Sequence, residues 1–156
     1  MLIFKVLHIL SMFAAIAFLV GESTLFATAI WRGDVQALAA MRRLAGRRPL
    51  VGSLLFLAGI GFGLLTIATG PFDFLDGWLI AAYLMVVTTL AMNALPVVQK
   101  GFLGLSDKAV EATAGHRPID EVAQEMAAFR GRFATVVVAN WLLFAAIILD
   151  MIIKPF

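Results

Sequence analysis

The sequence predicts an all-α fold, a single bundle of four transmembrane helices, on three observations. The chain of 156 residues is 62% hydrophobic and 14% charged, and its mean hydropathy of +0.99 is too high for a water-soluble domain. Its positive charges are concentrated in two connections between apolar segments. Four such segments are each long enough to cross a bilayer core, which takes about 20 helical residues. They lie at about 2–30, 50–69, 78–98 and 133–153 of one membrane domain, 1–156.

The first apolar segment is expected to stay in the protein as a membrane helix. A cleaved signal peptide has an apolar core of about 7–15 residues, and this run is about twice as long. Ionisable groups inside a membrane helix are costly, so His8 and Glu22 are candidates for function.

The distribution of lysine and arginine predicts the orientation. Ten of the 12 fall in the connections 31–49 and 99–132, whereas Lys5 and Lys154 lie on the opposite side. The positive-inside rule therefore places both termini and the acidic turn 70–77 outside, and the basic connections in the cytoplasm.

The cytoplasmic connections are expected to contain amphipathic helices. Asp34 is a good N-cap, and apolar residues recur at helical spacing from Val35 to Gly46. We expect a short helix that lies on the membrane surface beside anionic lipids, and a solvated basic loop is the alternative. The expected contacts with lipid phosphates are Arg42, Arg43, Arg47 and Arg48.

Proline and glycine refine the expected helices. The fourth helix is expected to begin at Pro118, well before the membrane, because proline suits a first helical position. Pro96 is expected to end or kink the third helix. The second helix has a small-residue face that lets backbones approach closely, which favours a central place in the bundle. That face consists of Gly52, Gly59, Gly63 and Thr66.

Polar residues fall into two layers when helix position is converted to depth at about 1.5 Å per residue. Near the outer surface, His8 and Asp150 lie at similar depths, with Tyr83 and Met85 slightly deeper. Met12 follows His8 on the same helical stripe. Both layers should face the bundle interior, because lipid offers these groups no partner. The inner layer, about 20 Å from the first, consists of Glu22, Ser53, Asn93 and Asn140.

The outer layer could bind a cofactor through His8. A neutral imidazole can ligate a metal ion or haem iron, and histidine also titrates near neutral pH, so a proton carrier is possible too. A satisfied hydrogen bond, for example to Asp150, is the alternative. Glu22 could be a proton or cation site, or a protonated pin between helices through Asn93 and Asn140. The methionines could be thioether ligands or ordinary apolar filler.

Several chemistries have no support in the sequence. His116, the other histidine, falls in a cytoplasmic connection, so one chain cannot supply two histidine ligands to a haem. Iron bound by His8 would need a methionine, lysine or tyrosine, an open position, or a second protomer opposite. The sequence has no cysteine, phosphate loop or nucleophile-elbow serine. No basic platform with interleaved aromatic residues indicates nucleic-acid binding.

Short patterns in the sequence resemble known membrane families. The opening Lys5-Val6-Leu7-His8-Ile9-Leu10 resembles the copper-resistance-D-like proteins and the small haem-binding protoporphyrinogen-oxidase-J-like proteins. The resemblance to the haem-binding proteins implies His8 as an axial ligand of haem b. A wider pattern is similar to a bacterial family of small predicted integral membrane proteins, which implies the bacterial inner membrane. That pattern comprises Leu7-His8, Gly21, Ala29-Ile30-Trp31-Arg32-Gly33-Asp34, Arg42-Arg43 and a glycine-rich second span ending at Gly70.

The sequence leaves three functions open. The first is a small inner-membrane four-helix protein that binds a haem or a metal through His8 in a redox or cofactor-handling role. The second is an accessory or scaffolding subunit of a larger membrane complex or a homo-oligomer, with no cofactor of its own. The third is a proton-coupled transport element that uses Glu22.

Overall fold

The computed structural model describes residues 2–46 and 49–153, and every regular element in that part of the chain is helical. This confirms the all-α prediction. A π-helical segment, Val97–Phe102, leads directly into the fifth helix. The helices are α1 Leu2–Arg32, α2 Val35–Ala45, α3 Pro49–Ala68, α4 Gly77–Asn93, α5 Leu103–Thr113 and α6 Ile119–Ile153.

Three segments of these helices are long and apolar enough to cross a membrane: Leu2–Arg32, Val51–Ala68 and Ile119–Asp150. The remaining expected span corresponds to α4, which is shorter. It has 17 residues and is therefore about 25 Å long, less than the bilayer core of about 30 Å. It ends at Asn93 and not at Val98. Pro96 accounts for this end, because proline lacks the amide hydrogen and disfavours a helical conformation in the residue before it.

The long helices pack through an apolar cluster in the half of the bundle that contains His8. The contact of α1 with α3 is the most extensive, and α6 packs against both α1 and α4. Met85 and Val86 of α4 pack against this cluster. Its buried members, here called the bundle cluster, are Met12, Ala15, Ile16, Phe56, Phe144 and Ile147.

The basic connections form a second packed unit, here called the cap, in which α2, α5 and the first half of α6 surround the end of α1. The apolar face of α2 packs against α5 and α6 and is therefore not available to lipid, and the expected position of α2 at the membrane surface stays a prediction. The partner face on α5 supplies the apolar contacts that lipid would otherwise provide. The fully buried core of the cap, each residue 0% exposed, includes Leu38, Ala109, Val122 and Met126.

The turn between α1 and α2 explains why a glycine and an aspartate follow α1. Gly33 has a φ of +67°, and Asp34 N donates to Ala29 O at 3.0 Å, as in a Schellman motif. Asp34 Oδ1 then accepts a hydrogen bond from Ala37 N at 2.8 Å. This confirms Asp34 as the N-cap of α2.

The last helix connects the cap to the bundle without a break. It has 35 residues and is therefore about 52 Å long, which confirms that it begins well before its apolar part. The side chain of Arg130 reaches back to α1, where its Nε donates to Ile30 O at 3.2 Å. Ile30 O also accepts a hydrogen bond from Gly33 N at 3.2 Å, so Arg130 adds a second bond at the C-terminal end of α1 and ties α6 to it.

The left-handed turn after α1 can be tested by substitution. Gly33→Ala is expected to lower the free energy of unfolding by about 1–2 kcal/mol, because an L residue with a side chain is strained at this φ. The matched control is Gly131→Ala, since Gly131 lies inside α6 with nothing within 4 Å of an added Cβ. Denaturation in detergent micelles measures both variants. Equal stabilities of the two variants would contradict the assigned turn.

Candidate functional site

The imidazole of His8 is held against α3. Its Nδ1 lies 2.6 Å from the carbonyl oxygen of Gly59. A carbonyl oxygen can only accept a hydrogen bond, so Nδ1 must carry the proton. In the neutral ring this leaves the lone pair on Nε2, which is the arrangement found in histidines that ligate metals. The expectation that His8 faces the other helices is confirmed.

The small-residue face of α3 makes this approach possible. A Cβ added at Gly63 would lie 2.9 Å from His8 Nδ1, and one added at Gly59 would lie 2.5 Å from Met12 Sδ. Gly52 meets Phe18 and Leu19 of α1 in the same way. The predicted glycine face is therefore the surface on which α1 packs, and its role is close packing. The expected central place of this helix is wrong, because in the described part of the chain α1 is the one helix that α3 packs against extensively.

Two further polar groups lie at the level of His8. Tyr83 Oη and Asp150 Oδ2 are buried and have no hydrogen-bond partner in the structure. Met12 and Ile147 belong to the bundle cluster and Met85 packs against it. His8 lies four residues, Asp150 three and Tyr83 two nearer the same end of the bundle, so at about 1.5 Å per residue the three lie at similar depths. We call His8, Tyr83 and Asp150 the His8 layer.

The two methionines of the predicted site take part in packing. Met12 is 4% exposed and its sulfur covers Gly59, while Met85 packs against the bundle cluster. Across residues 2–46 and 49–153, no three side chains of histidine, cysteine, aspartate or glutamate form a group that could hold a metal. Groups of these four residue types do not include a site with a tyrosine ligand such as the phenol of Tyr83.

The inner polar layer is only partly assembled. Glu22 is half-buried on α1, and Asn140 is half-buried on α6 with its Oδ1 buried and unpaired. Ser53 and Asn93 lie on exposed sides of their helices, and Asn93 Nδ2 donates to the carbonyl of Thr89 one turn away at 2.8 Å. The structure therefore does not bring all four residues into one interior layer.

A contact that the sequence did not predict ties α1 to α6 near this level. Trp141 Nε1 lies 3.2 Å from Ser23 Oγ. Ser23 follows the predicted residue Glu22 in the sequence, and Trp141 follows Asn140. Their contact depends on the register of α1 against α6, which the sequence does not show. A short polar residue beside Glu22 and an indole beside Asn140 were the available signals.

The arginines expected at lipid phosphates have protein partners where the structure describes them. Arg42 Nε lies 2.7 Å from Asp107 Oδ1, and Arg43 Nη2 donates to Thr113 Oγ1 at 2.7 Å. Both pairs join α2 to α5. Arg47 and Arg48 lie outside the described residues, and lipid contact of these arginines stays a prediction.

Arg130 is one of the cationic residues with a structural role that the sequence reasoning missed, as are Lys108, paired with Glu125, and Arg117, paired with Glu121. Arg130 was counted only as one of the charges that set the orientation, and its sequence neighbourhood resembles that of Arg132. Its distinguishing property is the bond to Ile30 across 100 residues of chain, which no local pattern reveals.

Comparisons with protein-family models, with curated proteins and with solved structures found no match to this chain. Its class therefore follows from its own residues. It is an all-helical protein with three segments long and apolar enough to cross a membrane, joined to a helical cap.

Proposed function

We propose that the chain is a small four-helix protein of the bacterial inner membrane that binds a haem or a metal ion through His8, in a redox or cofactor-handling role. The hydrogen bond from His8 Nδ1 to Gly59 O carries this proposal. It fixes the ring orientation and the tautomer, so that Nε2 is ready to bind a cation without first losing a proton.

The proposed topology has both termini on the outer side and α4 as the fourth crossing. The excess of lysine and arginine in the two basic connections supports the orientation. A helix somewhat shorter than the bilayer core can still cross it through local thinning of the lipid. Packing of α4 along α6 supports this crossing, because a short helix is stabilised by a longer neighbour.

Absorption spectroscopy and metal analysis of the purified native protein test the proposal. We expect a Soret band or a bound metal in the wild-type protein, and a loss of binding of at least about tenfold in His8→Ala, because a ligand is removed. The matched control is His116→Ala, which removes the other histidine from the exposed turn before α6 and should bind normally.

Two results would contradict the proposal: a colourless, metal-free wild-type preparation, or equal binding by the His8→Ala and wild-type proteins. Size-exclusion chromatography and far-ultraviolet circular dichroism of each variant separate loss of binding from loss of folding. His8→Ala also removes the bond to Gly59, so this check is necessary.

A second function, an accessory subunit without a cofactor, is favoured by a different observation. A shallow, largely open apolar groove, with a volume of about 640 Å³, runs along α3 outside the His8 layer. A helix of a partner protein could fill it, with His8 acting only as a pin between α1 and α3. Its lining is Ala58, Gly61, Phe62, Leu64, Leu65, Ala68 and Phe74.

Co-purification in a mild detergent tests the accessory role. The accessory function is supported by a stable partner that stays bound to the His8→Ala protein but dissociates from the Gly61→Leu protein. The leucine side chain in Gly61→Leu would project into the groove. A monodisperse protein that elutes as a single chain under the same conditions contradicts it.

A further inference from the structure

We infer that anionic phospholipid headgroups bind around the junction of the bundle and the cap, through three exposed basic residues in three helical segments. These residues, here called the basic belt, are Arg32 at the end of α1, Lys100 in the π-helical segment and Arg132 in α6. The inference depends on α1 and α6 crossing the membrane. It does not depend on a cofactor, because Arg32 and His8 lie about 36 Å apart along α1.

Contacts between α1 and α6 place Arg32 and Arg132 at one level. The two helices run antiparallel, and Trp141 Nε1 lies 3.2 Å from Ser23 Oγ. Arg32 is nine residues beyond Ser23 toward the cap, and Arg132 is nine residues beyond Trp141 in the same direction. At about 1.5 Å per residue, both arginines therefore lie about 14 Å from this contact.

Lys100 is held at the same level by the two residues that follow it. A Cβ added at Gly101 would lie 2.8 Å from Phe129 Cε2, so the π-helical backbone rests on that ring. The ring of Phe102 lies 5.0 Å from that of Phe133, which directly follows the belt residue of α6 in the sequence. Lys100 therefore lies beside the part of α6 that contributes to the belt.

The belt lies at the boundary between two kinds of exposed surface. On the bundle side, large apolar side chains are exposed in all three chain segments that lead to the belt, among them Leu25, Leu95 and Val138. In the cap, the exposed side chains include charged ones such as Asp107 and Glu121. Lipid acyl chains suit the first surface and water suits the second, so lipid phosphates are expected at the level of the belt.

The belt residues carry positive charge that the protein itself does not pair. Among the residues that the structure describes, the ion pairs use three other cations, Arg42, Lys108 and Arg117, and none includes a belt residue. Guanidinium and ammonium groups form charge-assisted hydrogen bonds with phosphate oxygens. An anionic lipid adds a net negative charge that a zwitterionic lipid lacks, so the belt favours anionic headgroups.

The residue before Arg32 favours a lipid over a soluble phosphate as the partner. The side chain of Trp31 is 63% exposed. Tryptophan is enriched at membrane–water interfaces, because its ring suits the headgroup region. A soluble anion bound to Arg32 would leave this indole in water, whereas a lipid covers both side chains.

Quenching of Trp31 fluorescence by brominated lipids tests the inference at Arg32. The full-length protein has three tryptophans, and Trp78→Phe with Trp141→Phe leaves Trp31 as the reporter. This protein is reconstituted in equal mixtures of phosphatidylglycerol and phosphatidylcholine, with bromine on the acyl chains of one lipid or the other. We expect about fivefold preferential contact with phosphatidylglycerol, and nearly equal contact with the two lipids in Arg32→Gln.

The matched control is Arg42→Gln in the same protein. It removes an arginine that is already paired with Asp107, so the lipid preference should be kept. Equal contact with both lipids before Arg32 is changed, a preference that survives Arg32→Gln, or an equal loss in Arg42→Gln would each overturn the inference. None of these results affects haem or metal binding through His8, so the proposed function is tested separately.

A second reporter extends the test to Arg132. Thr135→Trp, one helical turn from Arg132, is introduced into the full-length protein after all natural tryptophans are replaced by phenylalanine. We expect the same preference for phosphatidylglycerol and its loss in Arg132→Gln. This measurement is independent of Arg32 and decides the inference should Arg32→Gln fail to fold, which circular dichroism checks.

Discussion

Replacing Leu38 by alanine is expected to lower the free energy of unfolding of the cap by about 2–5 kcal/mol, the range for removing a buried leucine side chain. Leu38 is 0% exposed and packs between α2, α5 and α6, so the cavity cannot be filled by lipid or water. Hydrogen exchange of α2 and α5 amides in nanodiscs measures the effect, because cap amides exchange through opening of the cap.

The matched control for this prediction is Leu44→Ala, six residues further along the same helix. Leu44 is 61% exposed, so its truncation is expected to change stability by no more than about 0.5 kcal/mol. If α2 instead lay with its whole apolar stripe on the lipid surface, both substitutions would weaken membrane contact to a similar extent. Similar losses for Leu38→Ala and Leu44→Ala would therefore contradict the cap.

Gly59→Ala is expected to destabilise the bundle by about 1–3 kcal/mol, the usual cost of overpacking. The new Cβ would lie 2.5 Å from Met12 Sδ and 3.3 Å from the backbone nitrogen of Met12. The sulfur can rotate away but the backbone cannot, so α1 must move outward. That movement would also lengthen the His8–Gly59 bond, so metal or haem binding should weaken together with stability.

Gly61→Ala is the control for this second prediction. It lies on the same helix with nothing within 4 Å of an added Cβ, and alanine is the better helix former by about 1 kcal/mol. We expect it to be neutral or stabilising in denaturant unfolding in micelles, with unchanged binding. A Gly59→Ala protein as stable as Gly61→Ala would show that α1 and α3 do not approach as described.

Much of the bundle could be predicted because apolar length and small-residue spacing are properties of a single segment. The face formed by Gly59 and Gly63 was predicted as a close-packing surface, and α1 lies on it. The helix α5 was not predicted, because its buried residues are mostly small and carry little hydrophobic signal. They are Leu105, Ser106, Ala109 and Ala112.

The candidate site was predictable in part for a similar reason. The high cost of an imidazole in lipid indicates that His8 faces protein, and the structure agrees. Its partner, the carbonyl of Gly59, could not be predicted, because a backbone carbonyl has no sequence signature and the register of α1 against α3 depends on packing. Ser53 and Asn93 were assigned to the inner layer from depth alone, and depth does not determine the side of the helix.

The cap has a consequence for biosynthesis. Arg42 and its partner Asp107 are 65 residues apart in the chain, and at about 5–20 residues per second the ribosome needs roughly 3–13 seconds between them. During that interval the apolar face of α2 lacks its partners on α5 and α6 and has only the end of α1 to pack against. The rest of that face must therefore be covered by lipid headgroups or a chaperone until the last third of the polypeptide emerges.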